Sequence, residues 1–84
     1  MKTYIILYED KDYNNGYDYF SAPNITELIK QFADITGDDS DLFELAIMGL
    51  DDANDLVQMY NHFAYNIRIT DIYELGKAIY TMEV

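Results

Sequence analysis

A capped amphipathic segment runs from Asn24 to Gly37 in this chain of 84 residues. Asn24 can cap a helix, and Glu27, three residues later, can complete a capping box with it. The apolar residues that follow recur at the spacing of one helix face: Ile25, Leu28, Ile29, Phe32 and Ile35. Gly37 can end the helix in the left-handed conformation. The pattern predicts a helix over residues 24–36 with one apolar face, which has to pack against another element.

A short apolar run precedes this helix. Tyr4 to Tyr8 consists of β-branched and aromatic residues and has no polar face, which is typical of a central strand. Asn15-Gly16 is a strong signal for a hairpin turn because both residue types accept positive φ. Tyr17 to Ser21 would then return antiparallel to the first strand. The sequence therefore predicts a β-hairpin before the helix.

The second half of the chain has less distinct patterns. Phe43 to Leu50 is predicted to be an apolar strand. Leu56 to Phe63 fits either a helix capped by Asp51 or the return strand of a second hairpin, with Asp51 to Asp55 as its turn. The remaining segments are predicted as Asn66 to Thr70 extended, Asp71 to Gly76 as a turn or short helical turn, and Ala78 to Val84 extended.

This order of elements predicts an α+β fold, with an antiparallel sheet of about four to five strands and one main helix (residues 24–36) packed on one face. A chain of 84 residues has room for one domain, 1–84, with one core. The absence of cysteine excludes disulfides, thiolate metal sites and thiol nucleophiles. The apolar run Tyr4 to Tyr8 is too short for a signal-peptide core or a membrane span, so we expect a cytoplasmic protein.

Acidic residues dominate the charge. The chain has 16 Asp and Glu against 5 Lys and Arg, which gives a formal net charge of -11 at pH 7. A field of this sign attracts and orients a positively charged partner, although acidity can also serve solubility alone. Phosphate backbones and anionic membranes bind through Lys and Arg, so we expect neither nucleic acid nor membrane as a direct partner. The charge predicts that the partner is a basic protein surface.

Residues suited to catalysis or metal binding are few. His62 is the only histidine, and neither serine has a base beside it in the sequence. Asp10, Asp12 and Asn14 alternate as in a calcium loop, but the glycine comes one position late. The twelfth position of that loop is Ser21 where a bidentate Glu is needed. We therefore expect no enzyme activity, no metal and no cofactor.

Tyrosines and carboxylates are interleaved in the first hairpin. Tyrosine favours strands, but it is also enriched at binding hot spots, and a neighbouring carboxylate can pair bidentately with a partner's arginine. The first predicted partner-binding surface comprises Tyr8, Glu9, Asp10, Asp12, Tyr13, Tyr17, Asp18 and Tyr19. The second, which has fewer aromatic residues, comprises Asp38, Asp39, Asp41, Glu44, Asp51, Asp52 and Asp55.

Residues spread over nearly the whole chain match a known family at similar positions. They are Met1, Thr3-Tyr4, Asn15-Gly16, Ile25-Thr26, Lys30, Ala33, Gly37, Phe43, Gln58, Tyr60, His62 and Met82-Glu83-Val84. On these residues the chain resembles small acidic anti-CRISPR proteins of phages that inhibit the type I-E Cascade system. The resemblance implies an inhibitor that binds a CRISPR effector and blocks target-DNA access or a later step. It also implies a strand at Leu56 to Phe63, and it carries over no site residue.

Charge, tyrosine content and the resemblance together predict an inhibitor of a bacterial defence nuclease complex. The inhibitor would bind the basic, nucleic-acid-binding surface of that complex by mimicry or occlusion. Two alternatives stay open: an acidic immunity protein or antitoxin that neutralises a nuclease toxin, and a non-catalytic accessory subunit whose charge only serves solubility. Sensitivity of binding to salt separates the inhibitor and the antitoxin from the accessory subunit, since salt screens attraction between exposed charges.

Overall fold

The computed structural model of the protein describes residues 1–38, 40–75 and 77–82. These residues form four strands and three helices. In chain order the elements are β1 (Lys2–Asp10), β2 (Asn15–Ala22), α1 (Ile25–Thr36), α2 (Asp41–Ile47), α3 (Ala53–Phe63), β3 (Ile67–Glu74) and β4 (Lys77–Thr81). None of the described helices is both long and apolar enough to cross a membrane.

The four strands form one antiparallel sheet in the order β2-β1-β3-β4. β1 is an internal strand, as the apolar run Tyr4 to Tyr8 predicted. The pairing of β1 with β3 shifts between Leu7 and Tyr8, and that of β3 with β4 shifts between Ile72 and Tyr73, whereas β1 and β2 pair regularly. The predicted α+β fold, with a helix packed on one face of an antiparallel sheet, is confirmed.

Helix α1 has the predicted caps at Asn24 and Gly37, but among the described residues the Glu27 side chain pairs with Lys30 at 3.8 Å and does not complete the capping box. The side chain of Asn24 accepts a hydrogen bond from Glu27 N at 2.9 Å. Gly37 ends the helix with φ 80, and the next residue, Asp38, donates from its N–H to Ala33 O at 2.8 Å, which satisfies a carbonyl of the last turn. Of the predicted face, Leu28, Ile29 and Phe32 are buried, Ile25 is half-buried and Ile35 is exposed. Local capping and periodicity therefore determine this helix.

The core lies between the helices and one face of the sheet. α1 contacts β2, α3 contacts β3 and β4, and α2 packs against α3. The ring of Phe32 lies at the centre of this layer, 5.4 to 5.8 Å from the rings of Tyr8, Phe20 and Tyr60. The strands contribute Tyr4 and Ile6 of β1 to the core, together with Ile69 and Ile72 of β3, which lie three residues apart because the pairing with β1 shifts between them.

The strand predicted at Phe43 to Leu50 is wrong, because most of this segment forms helix α2. Ser40 caps the helix and accepts from Phe43 N at 3.1 Å. Negative charge in the first turn stabilises the start of a helix, and two acidic residues lie there. Only Phe43 and Ile47, one helical turn apart, are buried. The other large apolar residues around this helix are exposed: Leu42, Leu45 and Met48.

Leu56 to Phe63 belongs to helix α3, which decides between the two open assignments. The cap is Asp52 and not Asp51: the Asp52 side chain accepts from Asp55 N at 3.1 Å. The buried residues Leu56, Val57 and Tyr60 lie on one helical face. This helix contradicts the strand that the resemblance implied.

The first hairpin forms, but its turn does not lie at Asn15-Gly16. Both residues belong to β2, where they pair with Glu9 and Tyr8. A Cβ atom on Gly16 would lie 2.7 Å from the Tyr8 ring. Glycine is therefore favoured at position 16 by the close approach of an aromatic ring and not by a turn.

The chain reverses between Asp10 and Asn14. Tyr13 N donates to Asp10 O at 3.0 Å, and Tyr13 has a positive φ of 63. The Asp10 carboxylate accepts from Asp12 N at 2.8 Å and from Asn14 N at 3.0 Å. A side chain that binds the backbone of the next residues can fix a turn without glycine, and Asp10 does so here.

The last strands run longer than predicted at one end. The stretch from Asn66 to Thr70 is predicted to be extended. β3 begins within it, at Ile67, and continues beyond it to Glu74. The turn predicted at Asp71 to Gly76 is therefore wrong over residues 71–74, because these residues pair with β1 and β4. Within the segment predicted as Ala78 to Val84, β4 confirms extended structure to Thr81. Residues 76, 83 and 84 lie outside the described residues.

Candidate protein-binding surfaces

The sheet has a second face that the described helices do not cover. Ile5 pairs with both Tyr19 and Tyr73, and Leu7 pairs with Tyr17. Directly paired residues project from the same face, and none of these five residues packs against the core. We call them the open sheet face: Ile5, Leu7, Tyr17, Tyr19 and Tyr73. Tyr17 and Tyr19 are 62% and 69% exposed, and their rings meet edge to face at 6.2 Å.

Carboxylates in the strands of the first hairpin are bound by the protein itself. Asp18 projects from the opposite face to Tyr17 and Tyr19 and accepts from the Tyr8 hydroxyl at 2.9 Å. This hydrogen bond to a carboxylate raises the pKa of the Tyr8 phenol, since it favours the neutral form. Glu9 accepts from the Arg68 guanidinium, with Oε1 2.7 Å from Nη2. Alternation along the strands therefore separates the tyrosines from the carboxylates that neighbour them in sequence.

The hairpin turn uses one carboxylate and presents another. Besides its two backbone bonds, Asp10 accepts from Asn14 Nδ2 at 3.2 Å. Hydrogen bonds from Asn14, and more weakly from Asp12, lower the pKa of Asp10 below its ordinary value of 3.8. Tyr13 is 80% exposed, and the Asp12 side chain is exposed beside it. Of the predicted hairpin surface, the side chains without an internal hydrogen bond or ion pair to a described residue are Asp12, Tyr13, Tyr17 and Tyr19, and Asp18 keeps one free oxygen, Oδ1.

Most of the net charge lies in the middle of the chain. Residues 24–66 contain nine acidic residues and one basic residue, so they carry eight of the eleven net negative charges. We call this stretch the acidic helical segment. The molecule measures 32 × 32 × 23 Å, which is only a few Debye lengths of about 8 Å at physiological salt. The charges of this segment therefore act jointly on a partner at low salt and are screened at high salt.

Two predicted carboxylates of this segment have structural roles. Asp38 accepts from the Tyr60 hydroxyl and from Tyr65 N, both at 3.2 Å. Tyr60 is fully buried, and its hydroxyl also lies 3.0 Å from Thr36 Oγ1, so it links α1 to the start of β3. Burial, and secondarily the charge of Asp38, raises the pKa of Tyr60. Asp52 caps α3, and Asp39 lies outside the described residues.

Four carboxylates of the second predicted surface face solvent: Asp41, Glu44, Asp51 and Asp55. Among the residues that the structure describes, none of the four has a salt bridge or accepts a hydrogen bond through its side chain. Three of them lie in the first turn of α2 or α3, where the helix dipole favours negative charge. We call these four the available carboxylates, because they can pair with a partner without breaking an internal bond.

An apolar cleft lies beside two of the available carboxylates. It encloses about 510 Å³ and is lined by Thr26, Lys30, Asp41, Glu44, Leu45, Ile47, Met48 and Gly49. Leu45 and Met48 are exposed, so the cleft combines aliphatic surface with carboxylates. This combination suits lysine or arginine, which have a long apolar stem and a charged end. Sequence reasoning missed the cleft because it assigned this segment to a strand; Ser40 followed by two acidic residues was the signal for a helix.

Within the described part of the chain, no group of three or more His, Asp or Glu side chains is placed to bind a metal ion. No protein-family model, curated protein or solved structure matches this chain. Function is therefore inferred from the surfaces themselves and not from the fold, which by itself does not imply a function.

Proposed function

We propose that this protein is an inhibitor that holds its acidic helical segment against a basic protein surface. The partner surface is one that otherwise binds nucleic acid in a bacterial defence nuclease complex. The observation that supports this proposal is the set of four available carboxylates, which lie in the segment with most of the net charge. Each of them is exposed and forms no salt bridge with a described residue.

Carboxylates can occupy a phosphate-binding surface because both groups pair with the same arginine and lysine side chains. The charge is also directional. Residues 1–23 carry two net negative charges and residues 67–84 carry one, against eight in the acidic helical segment. An asymmetric field of this kind orients a protein as it approaches a basic partner and raises the association rate.

CRISPR effectors belong to the proposed class of targets because they hold the guide–target duplex in a positively charged channel. The helix at residues 53–63 removes one point of the resemblance to anti-CRISPR proteins. The proposal therefore depends on the charge distribution. A basic toxin nuclease would be recognised by the same chemistry, and identifying the bound protein distinguishes the two.

The test is capture of the partner from bacterial lysate by the tagged full chain, followed by identification by mass spectrometry. Affinity is then measured against the recovered protein at 50 and 500 mM NaCl, with a DNA duplex as competitor. We expect recovery of a nuclease or CRISPR effector, a loss of affinity of at least about tenfold at high salt, and displacement by DNA. Salt-independent binding that DNA does not displace would instead indicate an accessory subunit.

A matched pair of variants locates the binding surface. The test variant carries Asp41→Asn, Asp51→Asn and Asp55→Asn, which remove three available carboxylates. The control variant removes the same number of charges outside the acidic helical segment: Asp12→Asn, Asp71→Asn and Glu74→Gln. We expect the test variant to lower the association rate at least about tenfold and the control variant less than about threefold. Equal effects would show that only total charge matters, and the proposed surface would be wrong.

A further inference from the structure

β2 is an edge strand, and within the described residues its outer side pairs with no other strand. It runs for eight residues, Asn15–Ala22, in unbroken register with β1. In an antiparallel ladder every second residue directs its N–H and C=O groups away from the neighbouring strand. About half of the backbone groups of β2 therefore face solvent along one continuous line.

The two edges of the sheet differ in their protection. β4, the other edge strand, has five residues, begins with Lys77 and has a bulge in its ladder with β3 between Ile72 and Tyr73. Short length, lysine and bulges are the features by which proteins block pairing at an edge. β2 contains no lysine, arginine, proline or bulge; Pro23 follows only after the strand has ended. The β2 edge is therefore open to a further strand.

Side chains on β2 distinguish between possible partners. Tyr17 and Tyr19 lie on the open sheet face, and Asp18 lies between them on the other face. Asp18 is the only charged residue of the strand. The Tyr8 hydroxyl binds its Oδ2 atom, so the Oδ1 atom can accept from another donor. A strand added at this edge would place alternate side chains beside the tyrosine rings and the intervening ones beside Asp18.

We propose that β2 binds an extended basic segment of a partner protein by strand addition. An arginine or lysine of the segment pairs with Asp18, while the neighbouring side chains pack against Tyr17 and Tyr19. A second copy of the chain fits this edge less well. Each copy has a net charge of -11, and antiparallel pairing centred on β2 would bring the two Asp18 carboxylates close together. Charge complementarity therefore selects a basic partner.

The test uses the full ¹⁵N-labelled chain and a nine-residue peptide of alternating Arg and Val with blocked ends. Amide hydrogen exchange is measured with and without the peptide. We expect protection to increase at every second residue from Asn15 to Ala22. Two further peptides carry N-methyl groups on alternate residues, one in each phase. Because N-methylation removes backbone donors without changing charge, we expect one of these peptides to lose binding and the other to keep it.

Two charge variants provide the matched comparison on the protein. Asp18→Lys and Asp34→Lys change the charge equally at exposed positions of β2 and α1. We expect Asp18→Lys to weaken peptide binding at least about tenfold and Asp34→Lys less than about threefold. Asp18→Asn removes the charge but keeps an acceptor for the Tyr8 hydroxyl, so it separates the two effects. We expect it to weaken peptide binding and to leave the midpoint of urea unfolding unchanged.

Four outcomes would overturn strand addition at β2. Two concern hydrogen exchange with the peptide: protection confined to residues 24–66, or protection of β4. The third is equal binding of both N-methylated peptides. The fourth is protection of β2 that rises with protein concentration in the absence of peptide, which would indicate pairing with a second copy. The variant without three available carboxylates is expected to keep the alternating protection. This inference can therefore fail or hold separately from the proposed function.

Discussion

The first hairpin and the acidic helical segment have acidic residues at similar density, four in residues 1–22 and nine in residues 24–66. The two regions differ in whether these carboxylates have partners inside the protein. In the hairpin, Glu9 pairs with Arg68, Asp10 stabilises the turn and Asp18 binds Tyr8. In the helical segment, four carboxylates of the predicted surface face solvent without an internal partner among the described residues.

This difference shows that clustering in the sequence does not identify the carboxylates that can bind a partner. A carboxylate that already accepts hydrogen bonds inside the protein has fewer free acceptor sites for a partner, and binding elsewhere weakens the internal bonds that it makes. A solvent-facing carboxylate at the start of a helix loses only water. The comparison therefore favours the helical segment as the acidic surface, and it leaves the hairpin to contribute its tyrosines and its edge.

The largest expected effect contrasts two carboxylates within the helical segment. Asp38→Ala removes one of the two acceptors within reach of the Tyr60 hydroxyl, the other being Ile67 O at 3.1 Å, and it removes the side-chain acceptor for Tyr65 N. We expect it to lower the free energy of unfolding by about 2 kcal/mol, since hydrogen bonds to charged groups contribute about 1.5–3 kcal/mol. Asp51→Ala is the control, and we expect its effect to stay within about 0.5 kcal/mol. Urea unfolding measures both, and equal losses would mean that Asp51 has an internal role as well.

The next effect concerns packing within the hairpin. Gly16→Ala places a methyl group 2.7 Å from the Tyr8 ring, which has to move although it contacts Phe32 and Asp18. We expect a loss of about 1 kcal/mol in the free energy of unfolding. This value lies at the lower end of the range for overpacked cores, because the Tyr8 side chain can move more readily than backbone can.

A double mutant tests the cause of this loss. Tyr8→Leu removes the ring, so adding Gly16→Ala to Tyr8→Leu is expected to cost less than adding it to the wild type. Additive losses in urea unfolding would show that the cost arises from the backbone at position 16 and not from the contact with the ring.

The elements that follow from the sequence are those whose determinants are local. Asn24, Glu27 and Gly37 lie within one helix length of each other, and the apolar spacing between them permits only one assignment. The internal position of β1 agrees with the apolar run at residues 4–8, but such a run also indicates burial on both faces, whereas Ile5 and Leu7 lie on the open sheet face.

The failures came from interactions between segments. Asn15-Gly16 has the stronger intrinsic tendency to form a turn, but Tyr8 packs across Gly16 and holds it in the strand. Helix α2 has only seven residues, too few for a clear helical period, and it depends on burial of Phe43 and Ile47 against other elements. Neither contact can be inferred from local patterns.

The candidate site divides in the same way. The separation of Tyr17 and Tyr19 from Asp18 follows from the two-residue period of a strand and could have been predicted. The pairing of Glu9 with Arg68 could not, because it joins residues 59 positions apart and requires β3 to lie beside β1. Sequence alone therefore located the acidic residues but not which of them are available.

A smaller effect, on pH dependence, tests the role of the hairpin turn. The pKa of Asp10 is lower in the folded protein than its ordinary value of 3.8, so its contribution to stability is present above that value and is lost as pH falls below it. We expect Asp10→Asn to be less stable than the wild type at pH 7, with the difference shrinking as the pH falls from about 4 to about 2. Urea midpoints measured across this range test the expectation.

The control for this measurement is Asp12→Asn, in the same turn. The Asp12 carboxylate accepts no hydrogen bond from a described residue, and we expect its replacement to leave the urea midpoint at pH 7 unchanged. A pH-independent difference for Asp10→Asn would mean that the bonds to Asp12 N and Asn14 N do not depend on the charge of Asp10.

The smallest effect is expected at the tip of the hairpin and has the opposite sign. Tyr13 holds a positive φ of 63, which L-residues other than asparagine and aspartate seldom adopt, and its side chain is 80% exposed. Tyr13→Gly relieves this strain but makes the unfolded chain more flexible, so we expect a net gain of only about 0.5 kcal/mol in the free energy of unfolding. Tyr13→Asn, which tolerates the same conformation with less flexibility, should gain at least as much. If both variants are instead less stable, the Tyr13 ring stabilises the hairpin by packing. If both are more stable, folding does not require the tyrosine at this exposed turn.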